Sequence, residues 1–337
     1  MECLRIKPQR VETSSLHDVL HRHYGVQGSI SVLNSEVEHT AEVELPAGNR
    51  LILKTSSEPQ ALESFRFQSS TIAKLGTGHD FIVPQILATS SGTLMFEEPG
   101  ICGYVQSRLD GSPVSEMTIS PDLLYKAGRA LGKLDLALRQ IEVPGIHRPI
   151  LWHIKCWPRL QGLGAYLPSG PIADSVRRAM RSYTDFVQPR LGEVEWQTTH
   201  NDPSPFNMLV ASDRIAFIDF GDGCWGPRIQ DLAIAASHFV REPTMALGGA
   251  EYLIAGYTAV IPLSPLEISL LVELMRARQS ALILVNYWRS HLFPTEAAYI
   301  KKNVARAEHG LSILSSLSLA EAEAAVERVS SHNNKKW

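Results

Sequence analysis

The segment that most restricts how this chain can fold is His200-Asn201-Asp202-Pro203-Ser204-Pro205-Phe206-Asn207-Met208-Leu209-Val210, with Ile218-Asp219-Phe220-Gly221-Asp222 close behind it. Asn207 lies five residues beyond Asp202, and Asp219 twelve beyond Asn207. Asn207-Met208-Leu209-Val210 and Arg214-Ile215-Ala216-Phe217-Ile218 are short apolar runs around the polar Ala211-Ser212-Asp213, the pattern of a two-stranded hairpin. Folding that hairpin returns Asp219 beside Asn207, and the proline-rich loop presents Asp202 over both. Two carboxylates about 5 Å apart repel by about 3 kcal/mol at an effective dielectric of about 20. A divalent cation removes that conflict, and oxygen-only donors suit magnesium. Singly, each residue has a plainer explanation, since an Asp before a Pro is usually a turn or cap and Asp-Phe-Gly an ordinary strand-ending turn. It is the coincidence of residue types, spacings and apolar frame that points to chemistry. His200 reads as a brace for the loop rather than a titrating group.

The same order and similar spacing occur in the protein-kinase template, where a catalytic-loop Asp, a metal-holding Asn and the Asp of an Asp-Phe-Gly turn carry phosphoryl transfer. Asp202 then takes the place of the base, with Asn207 and Asp219 as metal ligands. Upstream, Ala41-Glu42-Val43-Glu44-Leu45 and Arg50-Leu51-Ile52-Leu53-Lys54 alternate in polarity around Pro46-Ala47-Gly48-Asn49, a hairpin signature. Lys54 ends the second arm; locally it is a solvated strand-end lysine, but its place upstream of Asp202 suits neutralisation of nucleotide phosphates. A helix follows from about 59 to 75, with Leu62, Phe65, Ile72 and Leu75 on or near one face. In kinase-type sites a carboxylate on this helix orients the lysine. Glu63 is the acidic candidate and Gln68 stands nearer the expected position, so either can fill that role. Residues 33–40 form the turn over the phosphates; without a glycine run, backbone amides or the Ser35 hydroxyl must cradle them. Backbone groups near Ser107 and Leu109, at the end of the strand Gly103–Leu109, are placed to pair with an adenine-like base.

The chain is long enough for one large domain or two lobes with a full core. Its formal charge of −3 argues against a nucleic-acid partner held on a basic face. Four cysteines, Cys3, Cys102, Cys156 and Cys224, show no paired spacing and read as reduced thiols of a cytoplasmic protein. No apolar run reaches membrane-spanning length, and residues 1–5 lack a signal-peptide layout.

From Pro121 the pattern turns helical: Leu123, Leu124, Ala127, Leu131, Leu134 and Leu138 recur at three- and four-residue steps. Further helices are expected at about 172–191, 227–240, 245–259, 264–289 and 294–317. A strand-rich first part and a mainly helical second part make an α+β architecture; its resemblance to the protein-kinase template implies a bilobal fold with a small antiparallel-sheet N-lobe and a large, mainly helical C-lobe. Residues 1–109 form the nucleotide-binding lobe, 110–330 the catalytic and substrate lobe, and 331–337 a frayed tail. Asp231 opens the helix after the metal turn as a structural brace.

With these motifs in hand, the chain resembles the aminoglycoside phosphotransferase-like superfamily of small-molecule kinases, which includes choline, homoserine and hydroxylysine kinases. The resemblance rests on His200-Asn201-Asp202 through Asn207, on Ile218–Asp222, on Gly226 through Ala233, on Leu109–Val114 and on Ala130–Leu134. Phe220-Gly221-Asp222 with Gly226-Pro227 and the Trp152 segment are most similar to the hydroxylysine-kinase branch. The resemblance implies Asp202 as base, Asn207 and Asp219 as magnesium ligands and Lys54 as the phosphate lysine. The chain departs from the family's usual Gly at Asn201, Leu at Pro203 and frequent His at Pro205, and Gln68 stands where antibiotic kinases carry the orienting Glu. The two prolines stiffen the loop and remove backbone donors.

The expectation is therefore transfer of the γ-phosphate of ATP or GTP, with Mg²⁺, to a hydroxyl of a small metabolite, first an amino alcohol or hydroxy-amino acid. Acidic residues Asp202 and Asp222 on the acceptor side would favour a cationic amine. The partners are nucleotide and acceptor, with no nucleic acid and no membrane. Rival readings are an antibiotic phosphotransferase of the same fold, a catalytically weak nucleotide-binding pseudokinase, and a helical interaction protein without a nucleotide site.

Overall fold

The computed structural model describes residues 12–33, 35 and 38–331; Cys3, residues 34, 36 and 37 of the expected phosphate-covering turn and residues 332–337 of the expected tail lie outside the described residues. The first element is helix α1 (Thr13–Tyr24), stopped by Gly25 in the left-handed region at φ 63°. Strands β1 (Ser29–Leu33), β2 (His39–Glu44) and β3 (Arg50–Ser56) follow as an antiparallel meander. Then come α2 (Ala61–Leu75), β4 (Ile86–Leu87), β5 (Phe96–Glu98) and β6 (Ile101–Ser107). The sheet order is β1-β2-β3-β6-β4, with β5 also paired to β6. Alternation along β2 buries Ala41 and Val43 against Leu16, Val19 and Leu20 of α1, with Leu53 and Val105. The opposite face of β2 carries Thr40 and Glu42 toward the cleft. The helix expected at 59–75 is there; α1 had no counterpart among the expected helices.

Past the short β7 (Ser112–Pro113) the chain is mainly helical. Helix α3 (Pro121–Leu138) starts at Ser120, whose Oγ accepts the Leu123 amide at 3.2 Å, with Pro121 in its first turn. The helix expected at 172–191 is shorter: α4 (Pro171–Ser182) gives way to a wider turn at 183–187 and a tighter 3₁₀ segment at 188–193, where Pro189 removes an amide donor. Strands β8 (Trp196–Thr199), β9 (Met208–Ala211), β10 (Arg214–Phe217) and β11 (Cys224–Pro227) surround the motif residues. They are followed by α5 (Ile229–Ser237), α6 (Glu251–Thr258) and α7 (Pro265–Leu292). Instead of one helix over 294–317, 3₁₀ turns surround a one-turn α8 (Ala297–Ile300) before α9 (Val304–Leu314). A final α10 (Leu319–Ser331) buries Ala322, Ala325, Val326 and Val329, so the helix runs into residue 331, the first of the expected frayed tail.

Helices α3 and α6 cross where a Cβ on Gly128 would meet the Leu253 carbonyl at 1.9 Å and one on Gly256 the Tyr125 carbonyl at 2.0 Å. Glycine at both positions lets the two backbones touch. Helix α7, buried through most of its length, is opened by a capping box in which Ser264 and Glu267 satisfy each other's amides at 3.2 and 2.9 Å. Its interior is what brings Arg276 and Arg278 into a mostly apolar environment. The fold is α+β and protein-kinase-like, with a sheet lobe and a helical lobe. The lobes are stitched together at Ile82, which exchanges backbone bonds with Ile215 and Phe217 of β10 at 3.0 and 2.8 Å. No helix among the described residues is long and apolar enough to cross a membrane.

Candidate active site

The hairpin anticipated between Asn207 and Ile218 is β9 paired with β10, in the register Met208 to Phe217 and Ala211 to Arg214. The Ile218 amide donates to the Asn207 carbonyl at 3.0 Å, so the pairing extends one step and sets Asp219 beside Asn207. Upstream, β8 leads into Asn201, which adopts φ 62° in the left-handed region. That conformation accounts for a Gly or Asn at this point, because other side chains crowd the carbonyl there. The bend is clamped from below: the Asp231 carboxylate accepts the His200 and Asn201 amides, each at 2.7 Å. Asp231 is thus the loop brace expected of it.

His200 braces the same loop from within. Its Nε2–H donates to the Ile218 carbonyl at 3.0 Å, and Nδ1 accepts the Asp202 amide at 3.4 Å. The ring lies 4.6 Å from Phe220. Burial lowers its pKa to about 4, so it is a neutral strut. Asp202 receives the Asn207 Nδ2–H at 2.8 Å on Oδ2, while its backbone carbonyl takes the same amide group at 3.1 Å. Because Asn207 spends its NH₂ this way, its Oδ1 is left for a cation. Arg278 Nη2 donates to the other Asp202 oxygen at 2.9 Å.

Lys54 reaches over from β3 and places Nζ 2.8 Å from Asp219 Oδ1. It also pairs with Glu38, and lies 3.3 Å from Gln68 Oε1. Burial opposes the charge, but Asp219 and Glu38 outweigh it and hold the ammonium well above the usual lysine range. Asp219 is held below the usual carboxylate range chiefly by Lys54. Gln68 is fully buried; it accepts from Tyr104 Oη at 2.8 Å and donates to Glu38 at 3.3 Å and Ser64 at 3.1 Å. Glu63 instead pairs with Arg66 at 2.7 Å on the exposed side of α2, so of the two α2 candidates Gln68 contacts the lysine.

Sequence reasoning did not single out Glu38. The signal was available in the strand register: Thr40 lies opposite Lys54, so Glu38, two residues earlier, falls on the same face as a diagonal neighbour. Ser35 is exposed at the rim of the cleft. Ser107 and Leu109 line it, but the Ser107 amide is committed to the Gln85 carbonyl at 2.8 Å, which removes it as a donor to a base. Arg148, also unanticipated, stacks over Phe67 at 4.4 Å and donates to the Gly221 carbonyl at 2.6 Å, pinning the turn after Asp219.

These groups open into one cleft of about 1900 Å³ between the lobes. Burial and then the neighbouring Asp202 and Asp219 push the Asp222 carboxyl up to about 7. Three acids crowded together, with Asn207 Oδ1 beside them, fit a hard divalent cation. Among the described residues no three His, Cys, Asp or Glu side chains form a metal cluster by themselves. A cation here would therefore draw the rest of its shell from water and phosphate oxygens.

With this geometry established, the chain belongs to the phosphotransferase enzyme family, whose model matches residues 29–262. Among named relatives it is similar to hydroxylysine kinase of Bos taurus, 26% identical over 206 residues, 57% of this chain and 55% of the bovine protein. Hydroxylysine kinase of Danio rerio is 26% identical over 298 residues, covering 81% of this chain and 83% of that protein. The chain spans about half the length of the bovine relative it matches. Among solved structures, an amicoumacin kinase in complex with AMP-PNP, Ca²⁺ and its ligand superposes with a TM-score of 0.68 at 15% identity, covering 92% of this chain and 95% of that one.

Proposed function

We propose that the protein is a kinase that moves the γ-phosphate of ATP or GTP to a hydroxyl of a small metabolite, an amino alcohol or a hydroxy-amino acid. The observation that carries this is the convergence of Lys54, Asp219, Asn207 and Asp202 in one cleft, with Lys54 to Asp219 and Asn207 to Asp202 both at 2.8 Å. Lys54, steadied by Glu38 and Gln68, binds the nucleotide phosphates. Ser35 covers them, and the Ser107–Leu109 segment lies against the base. Asn207 and Asp219 would hold Mg²⁺, which supplies charge neutralisation on the phosphate oxygens when bound. Asp202 orients the acceptor hydroxyl and accepts its proton. Residues 1–109 serve as the nucleotide lobe and 110–330 as the catalytic lobe. The scattered cysteines, with Cys102 and Cys224 buried and free, favour a cytoplasmic setting.

The test is nucleoside-diphosphate release across a panel of hydroxylated metabolites with Mg·ATP and Mg·GTP. Acceptor-dependent release that vanishes without Mg²⁺ is expected. ATP-induced thermal stabilisation with no transfer to any acceptor would leave only a nucleotide-binding protein, and no stabilisation by either nucleotide would remove the site altogether. A second reading, phosphorylation of an antibiotic, is favoured by the structural similarity to the amicoumacin kinase; aminoglycosides, macrolides and amicoumacin belong in the same panel.

A further inference from the structure

The acceptor end of the cleft is lined by Arg278 of α7, His238 just after α5, Arg306 of α9 and Phe206 of the catalytic loop. We propose that this corner is an anion-reading subsite: Arg278, with Arg306 and His238, binds a carboxylate of the acceptor while its hydroxyl faces Asp202. The proposal rests on the kinase reading above and narrows it to hydroxy acids, with or without an amine.

Four observations lead there. First, the Arg278 side chain is only 4% exposed and among the described residues makes one hydrogen bond, from Nη2 to Asp202 at 2.9 Å. Its Nε and Nη1 are buried and have no hydrogen-bond partner among the described residues. A guanidinium has five N–H donors, and leaving them dry and unmade is costly. Second, its guanidinium lies over the Trp152 ring at 4.7 Å, which fixes the plane and leaves its edge as the recognition surface. Third, Arg306 sits over Phe206 at 5.4 Å, so a second cation is tied to the loop that carries Asp202. Fourth, Arg278, Arg306 and Arg241 all act on His238, whose Nε2 is likewise buried without a hydrogen-bond partner. A neutral imidazole beside three arginines can donate one hydrogen bond to a carboxylate without adding to the positive charge.

This corner reverses the expectation that acidic residues select a cationic amine, because Asp202 is already matched by Arg278 and the wall behind it is basic. A carboxylate suits it better than a phosphate ester does. The transferring phosphoryl group and three aspartates lie close by, and a second dianion there would be repelled about twice as strongly as a monoanion.

The experiment uses matched acceptors with Mg·ATP: 5-hydroxylysine and its methyl ester, homoserine and 3-aminopropanol, and 4-hydroxybutyrate and 1,4-butanediol. The carboxylate member of each pair should be favoured by at least about 30-fold in kcat/KM, with 4-hydroxybutyrate accepted despite lacking an amine. Arg306→Gln should raise KM for the carboxylates about 10-fold while kcat changes less, and Arg278→Lys should blunt the preference more strongly. In parallel, thermal shifts in Mg·AMP-PNP are read with the same six compounds, and only the carboxylates should stabilise the protein. Equal use of both members, or preference for the uncharged or amine-only ones, overturns the anion subsite and leaves the kinase reading standing. If no compound releases nucleoside diphosphate, the thermal shifts decide alone: stabilisation by carboxylates upholds the subsite without transfer, and equal shifts for both members overturn it.

Discussion

The two walls of the cleft treat charge in opposite ways. On the sheet wall Lys54 is enclosed by Asp219, Glu38 and the Gln68 oxygen, all supplied by the chain itself. On the helical wall Arg278 meets one carboxylate oxygen and keeps two buried nitrogens unmatched. A wall that satisfies its own charge is a rigid holder, ready for whichever nucleotide arrives. A wall that leaves donors unmade is completed by its ligand, and selectivity follows from that deficit.

The largest test removes the proposed base. Asp202→Ala should lower kcat by about 10²–10⁴ while nucleotide still shifts the melting temperature; near-normal turnover would take Asp202 out of the reaction. Next, Glu38→Ala breaks the enclosure on the sheet wall. Asp219 still pairs with Lys54, so a loss of about 10- to 100-fold in kcat/KM for nucleotide is expected, at the low end of what truncating a buried charge partner costs. No change in the nucleotide parameters would mean Glu38 only neutralises the lysine in the empty protein. Third, Gln68→Glu installs the carboxylate that antibiotic kinases carry. Here it would face Glu38 and lose the donors to Glu38 and Ser64, so urea titration should show a loss of about 1–3 kcal/mol rather than a gain. An increase in stability or activity would show that Glu38 moves aside.

The smallest expected effect lies beneath the loop. Burial raises Asp231 to about 7, and burial with the facing Asp231 raises Asp135 well above its usual range, so the pair shares a proton in the folded protein. The unfolded chain releases that proton near pH 4. The folded state therefore binds more protons above about pH 4, and stability should fall as pH rises from there toward the raised titration of the pair. Asp135→Asn supplies a permanent N–H to Asp231 and should flatten the profile in melting curves taken from pH 5 to 8. An unchanged slope would assign the pH dependence to other groups.

Much of the floor of the cleft was legible along the chain because its residues are local. Asp202, Asn207 and Asp219 lie within eighteen positions, joined by a hairpin whose polarity pattern marks both strands and turn. Asp231 and His200 were readable as braces for the same reason. The α1 helix was missed because it is short, with a weak apolar stripe of Leu16, Val19 and Leu20. The long helix expected over 294–317 was overextended because the apolar spacing continues through a stretch that tertiary packing breaks into 3₁₀ turns. Glu38 stayed hidden because its role depends on pairing across strands, and Arg278 because a charge in the middle of an apolar helix looks the same whether it faces solvent, core or cleft.

Residue order alone determined the floor of the cleft, since a tight hairpin can bring together only what lies a few residues to either side of it. The tertiary structure decided what surrounds that floor. Glu38 meets Lys54 through strand register, and Arg278, His238 and Arg306 come from α7, the end of α5 and α9. Contacts between segments separated by dozens of residues depend on helix packing and burial, which leave no local spacing to read.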